Sequence, residues 1–479
     1  MAEIARPEPR RFDSGVPNLD LVLGGGLQEH NSYLFVGASG TGKSVLSHQI
    51  AFHRARQGER VLLVTGLDEP HRNLLEHLTA FSYADLSLIG PQLETVSLVP
   101  FLERPVPEKI DILRTTVLNA RPRLVIIDGL RSLEAFTGTP QGMYQFLYGL
   151  TSWLAVEGIT LLLTKNTGAA PLETPEFSLV DGGVVLQRDL ASGSDQRRLW
   201  VWKMRGQRPL EGLHSYSIDR DGVTVWPRPQ ATFHLEDRPP SRDRAAFGVP
   251  GLDSMLAGGL PEATSTLLAG GPGTGKTVLG LAFLAEGARL GQPGLWLGFR
   301  ESRSQLLGRS GPWAADLTGA EARGTVQFMT MAPLELDPNH LAGLLQQTIA
   351  GLKVRRLVVD AVEALDQAFA SARSVAEFMT WLVQYLPQQG VTGLLSERLP
   401  GLDGQRLGPS TVPLSDLAEN VIGLRQVEAQ SQLRRTLAVV KMRDPGYDPT
   451  VRELILEPRG ITVGEPLEVS AAQPARAST

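Results

Sequence analysis

Short unbroken apolar runs alternate along this chain with segments whose apolar residues recur three and four positions apart. SYLFVG at 32–37 is the first such run and predicts a strand. SVLSHQIAFHRARQG at 44–58 has helical spacing and stops at Gly58, which predicts a helix. RVLLVTG at 60–66, RLVIIDG at 123–129 and ITLLLTKN at 159–166 predict further strands. The same rhythm returns later with STLLAGG at 265–271, the helical TVLGLAFLAEGARLG at 277–291, then LWLGF, RLVVDA and TGLLSE. Apolar strands alternating with helices imply an α/β fold, a parallel sheet covered on both faces. Late in each half, RRLWVWKMRG at 197–206 and RRTLAVVKMRD at 434–444 predict strands of a terminal antiparallel meander.

The rhythm repeats because the chain is a duplication. GVPNLD at 15–20 returns as GVPGLD at 248–253, GGL at 25–27 returns at 258–260, and GASGTGKS at 37–44 returns as GGPGTGKT at 270–277. All three pairs are 233 residues apart. The strand-end aspartates Asp128 and Asp360 follow at 232, and the KMR triplets at 203–205 and 441–443 at 238. Constant order and near-constant spacing mean two copies of one domain. The proline- and charge-rich stretch at 226–246 has no apolar period. We therefore expect a first domain over 1–232, a linker over 233–246, a second domain over 247–463 and a small, polar, mobile tail over 464–479.

In both copies a glycine loop, a lysine and a hydroxyl follow a strand and open a helix, the context that a phosphate-binding loop requires. Gly37, Ala38, Ser39, Gly40, Thr41, Gly42, Lys43 and Ser44 form the first loop. Gly270, Gly271, Pro272, Gly273, Thr274, Gly275, Lys276 and Thr277 form the second. The glycines let successive backbone N–H groups turn inward on phosphate oxygens, and the new helix adds free N–H groups and partial positive charge. The lysine reaches the β- and γ-phosphates of ATP, while the Ser44 or Thr277 hydroxyl serves Mg2+. Asp128 and Asp360 end apolar strands, where a carboxylate would hold Mg2+ through its water shell. Hydrolysis also needs a carboxylate for the attacking water. Asp68 and Glu69 follow the strand RVLLVTG in the first half; in the second, Arg300 stands where Asp68 stands and Glu301 where Glu69 stands. The two sites are thus chemically unequal, with the hydrolytic role better supported in the first.

Together these residues give the chain a resemblance to the KaiC family of circadian-clock ATPases, within the RecA-like superfamily. GVPxLD…GGL before each loop, the acidic pair after the second strand and the late KMR carry the resemblance, which covers about residues 10–463. It implies tandem RecA-like P-loop NTPase domains in a homo-hexamer of two stacked rings, with ATP between neighbouring subunits. It also implies that Lys203 and Arg205, and in the second half Lys441 and Arg443, reach the phosphates of the adjacent subunit. In that family the second half phosphorylates a Ser–Thr pair; matching SDLAENVIGL puts the pair at Ser415 and Asp416, leaving Ser415 as the autophosphorylation candidate. Arg300, Asp444 after the second KMR and a brief tail depart from the clock pattern. They imply a KaiC-like signalling or stress-response ATPase rather than a binder of the other clock components.

Composition narrows the alternatives. The 479 residues include no cysteine, which excludes disulfides, zinc–thiolate sites and cysteine nucleophiles. With 46 basic and 51 acidic residues the net charge is −5, no footprint for nonspecific nucleic-acid binding. A RecA-like nucleic-acid motor is one rival, but the candidate contact loops at 167–178 and 399–415 hold a single arginine, Arg406, and no lysine. A nucleotide-gated scaffold, whose second ring binds ATP without cleaving it, is the other; Arg300 favours it. The opening MAEIARPEPRRF lacks the apolar core of a signal peptide, and no apolar run is long enough to span a bilayer, so a cytoplasmic location is expected.

Overall fold

In a computed structural model, the chain forms two compact units, Met1–Thr232 and Phe233–Thr479. The structure describes residues 10–65, 71–97, 106–130, 139–167, 175–189, 195–233, 239, 241–333, 336–369, 371–398, 414–429, 432–444 and 446–467. Among them, no helix is long and apolar enough to cross a membrane.

The first unit holds nine principal strands: β1 (Ser32–Gly37), β2 (Val61–Thr65), β3 (Leu93–Ser97), β4 (Leu124–Asp128), β5 (Thr160–Asn166), β6 (Gly182–Asp189), β7 (Gln196–Met204), β8 (His214–Asp219) and β9 (Gly222–Trp226). They form one sheet in the order β9-β8-β7-β6-β1-β5-β4-β2-β3. Pairing is parallel from β6 through β1 to β3 and antiparallel from β6 to β9.

The second unit repeats the plan with β10 (Ser265–Gly270), β11 (Gly294–Gly298), β12 (Val326–Thr330), β13 (Arg356–Asp360), β14 (Thr392–Arg398), β15 (Asn420–Ala429), β16 (Gln432–Lys441), β17 (Arg452–Glu457) and β18 (Gly460–Pro466). Their order, β18-β17-β16-β15-β10-β14-β13-β11-β12, is that of the first sheet strand for strand. β18 runs three residues into the stretch expected as tail.

Alternation along the strands explains why they read as unbroken apolar runs. Tyr33, Phe35, Leu63 and Ile126 belong to one core, while their neighbours Leu34, Val36, Leu62 and Val125 belong to another. Each of these central strands is buried on both faces, as in a parallel sheet covered by helices on each side. The second unit does the same, with Leu267, Leu295 and Val359 in one core and Leu268, Trp296 and Val358 in the other. The edge strands β3 and β12 escape the sequence pattern because their residues are partly exposed and their apolar run is broken.

The GVPxLD repeat also has a local cause. Asp20 accepts the backbone N–H of Ser14 at 3.0 Å, and Asp253 accepts those of Phe247 and Val249 at 2.7 and 3.0 Å. Each half-buried carboxylate ties down the turn that leads the chain into its sheet. In both cases burial is the main cause that pushes the carboxyl above its ordinary value.

Candidate functional site

The first loop leaves the C-terminal end of β1 at Gly37 and enters the helix Lys43–Arg56 through Gly42. Gly42 has φ +90, a left-handed backbone that favours glycine, and a Cβ there would also push the tip of Ile218. The Lys43 side chain is buried and its Nζ donates to the Gly37 and Ala38 carbonyls at 2.9 and 2.8 Å. Thr41 Oγ1 donates to the Ala38 carbonyl at 2.9 Å, and the Tyr216 hydroxyl from β8 donates to the Thr41 carbonyl. The meander thus props the loop from behind.

Asp128 lies at the end of β4, across the neighbouring β5 from the loop strand. Its Oδ1 accepts Thr164 Oγ1 from β5 at 2.5 Å, and His48 Nε2 from the loop helix stands 3.2 Å from its Oδ2. Burial alone would raise this carboxyl. Contacts with His48, Thr164 and Ser44 outweigh burial and hold it below its ordinary value.

The second loop reproduces the first. Lys276 Nζ donates to the Gly270 and Gly271 carbonyls at 2.7 and 2.9 Å, and Thr274 Oγ1 to the Gly271 carbonyl at 2.8 Å. Thr277 Oγ1 donates to Asp360 Oδ2 at 2.9 Å, and the Ser396 hydroxyl donates to Oδ1. Arg435 Nε from β16 donates to the Gly273 carbonyl at 2.8 Å.

The surroundings differ in charge. Arg300 pairs with Glu363 at 3.4 Å, and Glu301 pairs with Arg309 at 2.9 Å. Glu301 is raised, chiefly by burial and further by Asp360, against the pull of Arg309. Lys276 is lowered by burial above all; Glu363 and Asp360 oppose that shift, and Arg398 and Arg300 reinforce it. Asp68 and Glu69, the first-half counterparts, lie outside the described residues.

The KMR residues sit elsewhere. Lys203 Nζ donates to the Phe177 and Val180 carbonyls, and Arg205 pairs with Asp181 at 3.2 Å. Asp181 in turn accepts the Ser32 N–H at 3.0 Å, at the start of β1. The second half copies this contact for contact: Lys441 donates to the Ser415 and Ala418 carbonyls, Arg443 pairs with Glu419 at 2.6 Å, and Glu419 accepts the Ser265 N–H at 3.1 Å. Both sets therefore mark the N-terminal end of the central strand, and the loops mark its C-terminal end. The five steps of ~3.3 Å along this six-residue strand separate the two ends by roughly 17 Å. Within one chain the structure does not bring the KMR residues to the loop. Ser415 lies at the same far end, exposed, in the turn Leu414–Leu417.

Twin loops on sheets of identical strand order are the setting in which the comparisons have meaning. The family description "ATPase: KaiC" matches residues 12–230 and again 245–468. The chain belongs to the KaiC family of ATPases. It is 24% identical to the circadian clock oscillator protein KaiC of Picosynechococcus sp. over 464 residues, covering 94% of this chain and 88% of the relative. It is also 24% identical to the circadian clock protein KaiC3 of Synechocystis sp. over 485 residues, with coverage of 95% and 92%.

The residues of this KaiC-family ATPase suit a nucleotide and a hard divalent cation. Each loop offers a glycine-rich turn, an ammonium held on two loop carbonyls, and a hydroxyl beside a strand-end carboxylate. Oxygen donors of this kind match Mg2+. Sequence reading missed His48, Tyr216, Thr164, Ser396 and Arg435. His48 aligns with Leu281 in the repeat, one of several positions at which the two loop helices differ in chemistry.

Lys43 is pushed down to about 8, chiefly by burial, with Asp128 pulling the other way. Below that pH the folded and unfolded chains both carry the proton and the burial penalty is fully present. Between about 8 and the ordinary value of 10.5, the unfolded chain keeps a proton the folded chain has lost, so stability rises with pH. Urea unfolding at about pH 7.5 and about pH 9.5 should therefore show the wild type gaining on Lys43→Met as pH rises. A gap between them that is independent of pH contradicts this.

Proposed function

We propose that the protein is a magnesium-dependent ATPase that works as a homo-hexameric ring assembly, with each nucleotide bound between neighbouring copies. In this reading Lys43 and Lys276 grip the β- and γ-phosphates, Ser44 with Asp128 and Thr277 with Asp360 hold Mg2+, and the loop N–H groups cradle the phosphate chain. Asp68 and Glu69 position the attacking water in the first half, and Glu301 serves in the second.

The observation that carries the reading is the separation inside each sheet. Lys203 and Arg205, and their repeats Lys441 and Arg443, stand one strand length from their own loop, the arginines paired with Asp181 and Glu419 and the lysines on backbone carbonyls. If such cations complete a phosphate site, the site belongs to another copy. A cation delivered in trans stabilises charge that develops in the transition state and makes turnover depend on assembly.

A second reading applies to the second half alone. There Arg300 holds Glu363, and Arg309 holds Glu301, so the acids nearest Asp360 are engaged. Such a site favours retention of ATP over cleavage, and bound nucleotide would then stabilise assembly by mass action. Ser415 is the residue on which self-phosphorylation would fall.

Native mass spectrometry with and without Mg2+ and ATP, followed by intact mass of the same sample, tests the assembly. Six copies with nucleotide present, dissociating without it, are expected. A monomer at every nucleotide concentration rejects the shared-site reading. A phosphate adduct that Ser415→Ala removes would assign the autokinase role.

A further inference from the structure

The two loop helices, Lys43–Arg56 and Lys276–Arg289, begin alike and then diverge where it matters to the strand-end carboxylate. Five residues after the loop lysine, the first helix carries His48 and the second carries Leu281. His48 is 4% exposed, and its Nε2 stands 3.2 Å from Asp128 Oδ2. That contact joins a buried ring nitrogen to one oxygen of the strand-end carboxylate. Thr164 holds Oδ1 of the same carboxylate and His48 stands against Oδ2, so both oxygens are oriented while each keeps a lone pair for a cation's water shell. Leu281 is fully buried and has no polar group to offer Asp360, which accepts from Thr277 and Ser396 among the described residues.

We propose that His48 is a positioning residue of the first-half magnesium site, fixing Asp128 Oδ2 from behind the metal's water shell, a support the second half lacks. The inference rests on the nucleotide reading above. A group behind a metal-holding carboxylate acts by fixing its orientation, and losing such a group typically weakens metal binding without touching the rest of the ligand's contacts. His48 does not approach the loop carbonyls that Lys43 holds, so the phosphate cradle itself is left intact by its removal.

The test uses the full chain carrying Lys276→Ala, so that only the first half binds, with a fluorescent ADP analogue titrated in Mg2+ and again in EDTA. His48→Leu installs the second half's own residue. It should raise the Mg2+ concentration needed for half-maximal nucleotide binding by about tenfold, with affinity in EDTA unchanged. His48→Gln, whose amide N–H can replace Nε2, should recover most of the loss. An unchanged Mg2+ requirement in a folded His48→Leu protein overturns the proposal. So does an equal loss in Mg2+ and EDTA, which would mark His48 as packing only. Absence of binding by the Lys276→Ala parent would instead overturn the nucleotide reading, and the proposal with it.

Discussion

Lys43→Ala should remove most of the ATP turnover of this protein, while Lys276→Ala should leave most of it. Both lysines are held the same way, on two loop carbonyls each, so the difference does not lie in the loops. It lies in the groups that handle water. In the second half the residue at the first acidic position is Arg300, paired with Glu363. The neighbouring Glu301 is engaged by the Arg309 guanidinium at 2.9 Å. A base in that condition is poorly placed to accept a proton from water. Loss of one preorganised cation or donor at a phosphoryl-transfer site costs on the order of 10²–10³ in rate, so each substitution silences its own half. Steady-state phosphate release measured on both variants distinguishes them. If Lys276→Ala abolishes turnover and Lys43→Ala spares it, the assignment of hydrolysis to the first half is wrong.

Much of this architecture was legible because duplication printed it twice. The central strands are buried on both faces, so they stand out as apolar runs, and the loops stand out by their glycines. The edge strands β3 and β12 were not legible, because one-sided exposure breaks the run. Buried polar groups were less legible still. Arg54 of the first loop helix stacks on Phe12 at 4.5 Å and pairs with Glu59. In the second half the buried guanidinium comes from the strand instead: Arg356 stacks on Phe283 at 4.6 Å. Gly287 makes room for it, since a Cβ there would stand 2.5 Å from Arg356 Cδ. The two halves thus solve one packing problem from opposite elements, and no spacing rule announces such an exchange. His48 was hidden for a similar reason, being one polar residue on a helix whose other polar positions have ordinary roles. The repeated aspartates of GVPxLD were visible as a pattern, but their work of tying a turn through backbone N–H groups is a matter of geometry alone.

Complementation between two inactive variants has the second large effect. Lys43→Ala leaves the Arg205 guanidinium intact, and Arg205→Ala leaves the loop intact. If each site takes its loop from one copy and its arginine from the next, both variants alone are inactive in the first half. The Arg205 side chain is exposed and paired with Asp181, so its removal disturbs no core. In a one-to-one mixture whose subunits exchange, a productive interface needs an intact loop facing an intact arginine. Random placement makes about one interface in four productive, and mutagenesis of arginines supplied in trans gives rate effects large enough to read that fraction clearly. Lys276→Ala in both partners would remove any second-half background. A site built within one chain has no such route to recovery, since the loop and the arginine lie roughly 17 Å apart at opposite ends of β1.

Phosphate release by the exchanged mixture is therefore the most direct test that the nucleotide sites are shared between copies. We expect each variant alone to be nearly silent and the mixture to regain about a quarter of the parent rate. A mixture no more active than its two components, under conditions where exchange is demonstrated by native mass, would contradict the account.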